Sequence, residues 1–221
     1  MDYLGKNVFV YNENWEYQRT ITRPSNEFPN YGPHYSININ GSIYVTANFV
    51  INKYDSYFSL IKQINSTGYH RGIYYNSANQ MIYASFKNVN DNVTRIDVYD
   101  KDLNFIRSIS TDYNYFITGY YGQMAVTTTL DNGNIYFYQG ESLFRTVSTF
   151  CIRGISMVLF DNNNQMIVSC WNSNVYIYNV DGTYTGLKVN ACSSSNSKYF
   201  VNFDSKDRLV FICINRVEIF Y

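Results

Sequence analysis

The segment Gln80–Ile109, QMIYASFKNVNDNVTRIDVYDKDLNFIRSI, contains three short β-like runs separated by turn residues. These runs are Met81–Ser85, Arg95–Tyr99 and Asn104–Ile109, and a fourth run, Gly72–Tyr75, precedes them. Alternating apolar residues bounded by Asn, Asp and Gly are typical of strands joined by hairpins. The segment therefore predicts a four-stranded antiparallel unit, whose strands we label A to D in chain order.

Versions of this unit recur along the chain. An apolar run that closes on an aromatic residue marks each copy, and the copies begin at residues 8, 51, 96, 135, 175 and 217, in steps of 39 to 45. A second marker, in the B strands, keeps the same phase at Ile43, Ile82, Ala125, Ile167 and Leu209. Four short strands in about 40 residues are the repeat of a β-propeller blade.

We therefore expect an all-β propeller of five full or six partial blades, closed or nearly closed by strands from the two termini. Residues 1–221 are expected to form a single propeller domain, either a whole propeller or a fragment of a larger one. The competing fold is a β-sandwich, but its strands would not repeat in fixed phase. An open blade edge would offer unpaired backbone groups to another chain, so oligomerisation is one expectation.

The composition of the chain argues against some classes of partner and location. The formal net charge is zero, which argues against a surface built for the phosphate backbone, so nucleic acid is not an expected partner. No apolar run approaches 18 residues, and residues 1–7 lack the apolar core of a signal peptide. Aromatic residues make up 19% of the chain, with 24 Tyr, which suits sheet packing or an aromatic binding surface.

The segment Asn40–Asn48, NGSIYVTAN, and the strand endings Tyr54-Asp55 and Tyr99-Asp100 resemble the repeats of NHL-type and YVTN-type β-propellers. The resemblance extends over nearly the whole chain and implies the propeller fold and a binding platform. The B–C loops, such as Phe86-Lys87-Asn88, differ from the Asp, Asn, His and Arg pattern of NHL repeats. The resemblance therefore carries no individual site residue over to this chain.

Four cysteines lie in the C-terminal part of the chain. Cys151 and Cys192 precede A strands, and Cys170 and Cys213 end the B strands of the same blades. Because A and B are antiparallel neighbours, the start of A lies beside the end of B. We predict disulfides Cys151–Cys170 and Cys192–Cys213. Four buried thiols or a zinc site are the alternatives, although the spacing does not resemble Cys-x-x-Cys.

Disulfides would favour an extracellular or lumenal location. Three Asn-x-Ser/Thr triplets, at Asn40, Asn65 and Asn92, would suit such a location. In an Asn-rich sequence they also arise by chance, and the absence of a signal peptide in this chain points the other way.

Basic residues recur at or just before predicted A strands, whose starts ring the mouth of a propeller's channel. We hypothesise a mildly basic rim able to bind an acidic peptide or a small anion. The alternative is a solvated rim that caps strand ends. The residues of this rim are His34, His70, Arg71, Arg153 and Lys198.

The B–C loops open on the same face of a blade as the D–A loops. Trp171, with Asn172 and Asn174 beside it, is the candidate binding hot spot there, because Trp is favoured in interface cores.

The function predicted from these observations is a non-catalytic binding or scaffold propeller. It would present its D–A and B–C loops to a protein or peptide partner and need no cofactor. The alternatives are a metal-dependent propeller hydrolase or lyase and a carbohydrate-binding propeller. Two histidines cannot supply a three-histidine zinc site, and no nucleophile-elbow, phosphate-loop or dinucleotide motif is present. No catalytic residue and no metal ligand is assigned.

Overall fold

All regular elements in the described part of the chain are β-strands. The computed structural model describes residues 7–11, 14, 16–22, 33–88, 90, 93–111, 116–120, 122–127, 133–152, 154–171, 174–190, 200–203, 208–212 and 217–220. The strands up to residue 122 are β1 (Asn7–Tyr11), β2 (Tyr17–Thr22), β3 (Pro33–Ile39), β4 (Ser42–Ala47), β5 (Val50–Tyr54), β6 (Leu60–Asn65), β7 (Gly68–Tyr69), β8 (Ile73–Asn76), β9 (Met81–Asn88), β10 (Thr94–Tyr99), β11 (Phe105–Ser110) and β12 (Phe116–Tyr120). The later strands are β13 (Gln123–Thr127), β14 (Asn134–Gln139), β15 (Ser142–Ser148), β16 (Ile155–Phe160), β17 (Gln165–Cys170), β18 (Asn174–Asn179), β19 (Tyr184–Asn190), β20 (Phe200–Phe203), β21 (Leu209–Ile212) and β22 (Val217–Phe220).

The fold is a β-propeller, as predicted, and its blades are antiparallel meanders. Complete sheets have the orders β3-β4-β5-β6, β7-β9-β10-β11 with β8 also paired to β9, β12-β13-β14-β15, and β16-β17-β18-β19. A two-stranded sheet, β1-β2, precedes them, and a three-stranded sheet, β20-β21-β22, follows. Complete blades therefore number four within the described residues, fewer than the five or six that were expected. In the described part of the chain, the terminal runs carry the repeat markers and pair in sheets of two and three strands.

Burial follows the position of each strand in its sheet. The B strands β9 and β17 are buried over most of their length, because they have a neighbouring strand on both sides and other residues on both faces. The D strands β11 and β15 are exposed at most positions, because they end their sheets. The near-continuous apolar runs of the B strands are the signature of strands buried on both faces.

The turn after β10 shows why aspartate follows the closing tyrosine. The Asp100 amide donates to the Asn104 carbonyl, and the Leu103 amide donates to the Asp100 carbonyl, each at 3.1 Å. The Asp100 carboxylate accepts the amides of Asp102 and Asn104, each at 2.8 Å. Leu103 has φ 55°, a left-handed conformation that costs about 1–2 kcal/mol for a residue with a Cβ. Its side chain is buried in the core, which offsets that cost.

The same turn recurs elsewhere in the chain. Asp55 and Asp161 begin turns with the matching backbone hydrogen bonds, at 3.0 Å to Ser59 and 3.1 Å to Gln165. The residue three positions after each aspartate again has positive φ: 64° at Phe58 and 61° at Asn164. The Tyr-Asp pairs of the sequence are therefore turn caps.

A β-bulge marks the start of the D strands. Tyr99 pairs with Phe105 while Val98 pairs with Arg107, so Ile106 is an extra residue. Corresponding register shifts leave Ile61 extra in β6 and Phe144 extra in β15. Bulges interrupt the regular ladder of an edge strand and oppose its pairing with another chain.

The chain divides into two compact units, Met1–Gly122 and Gln123–Tyr221. In the first unit, an apolar core joins the blades β3–β6 and β7–β11. Its buried residues are Ile39, Tyr44, Ile51, Ile73, Ile82, Ala84, Tyr99 and Leu103.

Polar contacts reinforce this core at the turn between β10 and β11. Lys53 donates to the carbonyl of Lys101 and pairs with the Asp102 carboxylate, both at 2.9 Å. Lys62 donates to the carbonyl of Asp102 at 2.6 Å and to the side chain of Asn104 at 3.0 Å. Two lysines of one blade therefore hold a turn of the next.

In the second unit, β15 packs closely against the turn after β18. Gly182 has φ 96°, and a Cβ on it would lie 3.0 Å from the methyl groups of Val147. Phe137 and Phe160, from β14 and β16, meet edge to face with centroids 6.2 Å apart. The loop between β15 and β16 contacts the β18–β19 hairpin through the rings of Phe150 and Tyr184.

Candidate functional site

A disulfide joins the D–A loop before β16 to the end of β17. Cys151 and Cys170 are bonded, with Cα atoms 5.2 Å apart, and both side chains are buried. The register explains the pairing, since Ile155 at the start of β16 lies opposite Cys170. The predicted Cys151–Cys170 bridge is confirmed. Cys192 and Cys213 lie outside the described residues, so their pairing stays a prediction.

Hydrogen bonds fix the backbone of this loop independently of the disulfide. The Thr149 hydroxyl donates to the Gly133 carbonyl at 2.6 Å, and the Gly154 amide donates to the Cys151 carbonyl at 2.9 Å. The Trp171 amide donates to the Gly154 carbonyl at 3.2 Å. The loop is thus tied to two neighbouring segments by its backbone as well as by the bridge.

Gly133 permits the close approach that this arrangement needs. It has φ 76°, and a Cβ there would lie 2.7 Å from the Cys151 carbonyl oxygen. A larger residue at this position would push the loop away or strain the backbone.

Large apolar side chains are exposed on both sides of the bridge. The exposed fractions are 52% for Phe150, 81% for Ile152 and 39% for Trp171. Phe150 and Ile152 flank Cys151, and Trp171 follows Cys170, so the three side chains lie around one covalent link. We call Phe150, Ile152 and Trp171 the bridge patch.

Phe150 is held by an aromatic cluster from the β18–β19 hairpin. Its ring meets that of Tyr184 edge to face at 5.0 Å and that of Tyr176 at 5.6 Å. Its amide donates to the Tyr178 hydroxyl at 2.9 Å. Burial raises the pKa of Tyr178, although the bond from Phe150 acts in the opposite direction. The oxygen of the neutral phenol accepts the bond from the loop.

The predicted site residues are only partly brought together. Trp171 and Asn174 lie at the two ends of the β17–β18 connection, exposed and half-buried respectively. His34 lies in β3, but its side chain is outside the described part of the structure. Arg153, Asn172 and Lys198 also lie outside the described residues. The basic rim as a whole therefore stays a prediction.

His70 occupies a different place from the one expected for a solvated rim. Its side chain is 0% exposed, its Nδ1 lies 3.0 Å from the Ser85 carbonyl, and its amide donates to the Asn48 carbonyl at 2.8 Å. Nε2 has no hydrogen-bond partner among the described residues. Burial lowers the pKa of His70 to about 4, so the ring is neutral at pH 7. His70 therefore does not contribute charge to a rim.

His70 directly follows the short strand β7, which pairs with β9. The Ser85 hydroxyl then accepts the amides of Arg71 and Gly72, at 3.1 and 2.7 Å. Arg71 is half-buried, and its guanidinium carbon lies 5.7 Å from the Tyr69 ring centroid.

A charged pair in the first unit, formed by the buried carboxylate of Asp97 and the partly exposed Arg95, was missed from the sequence. Arg95 Nε lies 2.7 Å from the Asp97 carboxylate, and the Ser108 hydroxyl donates to the same carboxylate at 2.7 Å. The Arg95 guanidinium also stacks 3.7 Å over the Phe86 ring. The sequence signal that could have revealed this pair is an Arg-x-Asp spacing within an otherwise apolar C strand. The pair holds β9, β10 and β11 together, since Phe86, Arg95 with Asp97, and Ser108 belong to these three strands.

Phe150 and Ile152 were also missed, because loop residues have no periodicity to reveal exposure. The one available signal was two large apolar residues flanking a cysteine outside any predicted strand.

Within the described residues, no three His, Cys, Asp or Glu side chains meet as a potential metal site. The same residues include no helix long and apolar enough to cross a membrane.

Comparison with known proteins supports the fold. No family model matches the sequence, and no curated protein matches it. Among solved structures, the chain is similar to Kuenenia stuttgartiensis hydrazine synthase, with a TM-score of 0.64 and 12% sequence identity. The match covers 82% of this chain and 55% of that one, so this chain spans about half the length of its structural relative. At this identity the likeness concerns the fold alone.

Proposed function

We propose that the protein is a non-catalytic binding propeller that presents its D–A and B–C loops to a protein or peptide partner. In this proposal residues 1–221 act as one propeller domain with an NHL-like or YVTN-like repeat. The observation that carries the proposal is the bridge patch, in which exposed apolar side chains stand on a loop fixed by a disulfide. The activity in the name of the structural relative contributes nothing to this proposal.

Rigidity is what makes the bridge patch suited to binding. A loop that is already ordered loses little conformational entropy on association, so more of the contact energy becomes affinity. Phe150 is immobilised by Tyr176 and Tyr184, and the backbone around Ile152 is closed by hydrogen bonds. Aromatic residues in such positions are the usual anchors of protein interfaces. The expected partner therefore supplies apolar side chains to this loop.

Site-specific photo-cross-linking of the full chain tests the proposal. A photoreactive residue at Ile152 should give a discrete protein adduct in the cells that produce the chain. The matched control is Tyr57, which is exposed to a similar extent, 78% against 81%, on a turn of the other unit. Adduct formation at both positions alike would show nonspecific collision and contradict the proposal.

Two further measurements sharpen the result. The substitution Trp171→Ala should weaken the cross-linked complex by about tenfold or more, as loss of an interface anchor does. A chelator should leave the adduct unchanged. Loss of the adduct with chelator would favour the metal-dependent alternative, and an adduct with glycans alone would favour the carbohydrate-binding one.

A further inference from the structure

The end of strand β6 carries a modification signal that the binding proposal does not use. Asn65-Ser66-Thr67 is an Asn-x-Thr triplet without proline, the acceptor signature for N-linked glycosylation. Asn65 is the last residue of β6, and both Asn65 and Thr67 are exposed. The Asn65 side chain makes no hydrogen bond to another described residue. Its amide nitrogen is therefore available at the surface.

The surrounding backbone is fixed without using either side chain. Asn65 pairs with Val50 of β5, the Ser66 amide donates to the Phe49 carbonyl at 2.8 Å, and the Gly68 amide donates to the Ser66 hydroxyl at 3.2 Å. A bulky group on Asn65 would thus project from the sheet edge without displacing an existing contact.

A second, independent observation comes from the other unit. The Cys151–Cys170 disulfide belongs in an oxidising compartment, because cytosolic thiols are kept reduced. N-linked glycans are attached to surface loops and strand ends of proteins in such compartments. The triplet and the disulfide therefore indicate the same environment by different chemistry.

We propose that Asn65 is an N-glycosylation acceptor. The donor class is an oligosaccharide linked to a lipid through pyrophosphate. The Asn65 amide nitrogen forms a bond to the anomeric carbon of the first sugar, and the bond from that carbon to the pyrophosphate oxygen breaks. The amide gives up one proton, the lipid pyrophosphate leaves with the bonding electron pair, and no atom changes oxidation state.

Asn65 is a better acceptor than the triplet at Asn40. Asn40 and Gly41 form a two-residue hairpin turn with φ 50° and 83°, and the Gly41 amide is held by the Asn38 side chain at 3.1 Å. Asn65 instead leaves an extended strand, with Thr67 two residues further along the chain. The third triplet, at Asn92, lies outside the described residues.

A glycan at Asn65 would also protect an exposed edge. β6 ends its sheet, and Leu60 and Ile61 near its start are exposed. The distance from Asn65 to Ile61 along the strand is about 13 Å, which an oligosaccharide spans. Edge strands with exposed apolar residues invite association with other chains, and a glycan blocks that approach.

The test uses the native protein, treated with peptide N-glycosidase in water labelled with oxygen-18 and then mapped by mass spectrometry. The enzyme converts a glycosylated Asn to labelled Asp. We expect labelled Asp at position 65 in most copies, and only after enzyme treatment. An unmodified Asn65 peptide in most copies, or label at Asn40 alone, would overturn the proposal.

A pair of variants provides a second readout. Asn65→Gln should reduce the mass of the full chain by one glycan and increase its self-association, while Asn40→Gln should change neither. No change in size with Asn65→Gln would refute the assignment. The proposal does not rest on the binding function, and neither test involves the bridge patch.

Discussion

Single residues in this protein are held in unusual states by what packs around them. Leu103 keeps a left-handed backbone because its side chain is buried, and His70 stays neutral because burial lowers its pKa. Both effects are local, so both can be measured by substitutions at one position.

Removing the carboxylate of Asp100 should loosen the turn between β10 and β11. Asp100→Ala deletes the acceptor for two backbone amides and for the Asn104 side chain. We expect a loss of about 1 kcal/mol in the free energy of unfolding, measured by urea denaturation. Asp100→Asn keeps one acceptor oxygen and should lose less. Equal losses for the two variants would show that the hydrogen bonds are not the cause.

The buried imidazole of His70 should make stability fall in mild acid. Because burial lowers its pKa from 6.5 to about 4, the unfolded chain binds the proton more readily than the folded one between these values. The neutral ring therefore leaves the free energy of unfolding undiminished above about pH 6.5. As pH falls from 6.5 toward 4, that free energy decreases, and the loss at pH 5 is about 2 kcal/mol.

His70→Gln provides the control for this effect. Glutamine is neutral throughout the range and retains a donor for the Ser85 carbonyl. Urea midpoints at pH 7 and pH 5 should converge in the variant and separate in the natural protein. A variant with the same pH dependence as the natural protein would assign the effect to other groups.

At the scale of the element, the β16–β17 hairpin combines a covalent link with an exposed loop. The disulfide spans a sequence separation of 19 residues inside one blade. Closing a loop of this size stabilises the folded state by about 3 kcal/mol, chiefly by restricting the unfolded chain.

The double substitution Cys151→Ala and Cys170→Ala should therefore lower the free energy of unfolding by about 3 kcal/mol. Amide hydrogen exchange should quicken at Gly154 and Trp171, whose backbone bond lies beside the bridge. A reducing agent should lower the free energy of unfolding more in the natural protein than in the variant, which keeps only Cys192 and Cys213. Unchanged exchange in the variant would mean that the backbone hydrogen bonds alone order the loop.

At the scale of the whole molecule, the sequence predicts the repeated blade correctly but not the number of complete blades. Tyr54 and Tyr99 mark strand ends because a turn with fixed hydrogen bonds follows each of them, so the spacing of such residues reports the blade period. The Cys151–Cys170 disulfide could be predicted because antiparallel pairing places the start of an A strand beside the end of its B strand. The number of complete blades could not be predicted, because partial sheets carry the same markers as complete ones.

The candidate site was harder to predict than the fold. Trp171 could be placed at a strand end, but the exposure of Phe150 and Ile152 depends on loop hydrogen bonds that leave no pattern in the sequence. The two-residue strand β7 was too short to recognise, and with it the burial of His70 was missed.

The sequential pairing of strands has a consequence for the order of events in time. Apart from β7, the strands of each described sheet pair with their neighbours in the chain, so most pairings close only a short stretch. Chains dominated by such local contacts fold faster than those that must first bring distant segments together. The hairpin of β16 and β17 closes only a short stretch of chain, so Cys151 can meet Cys170, 19 residues away, without a distant segment being brought in first.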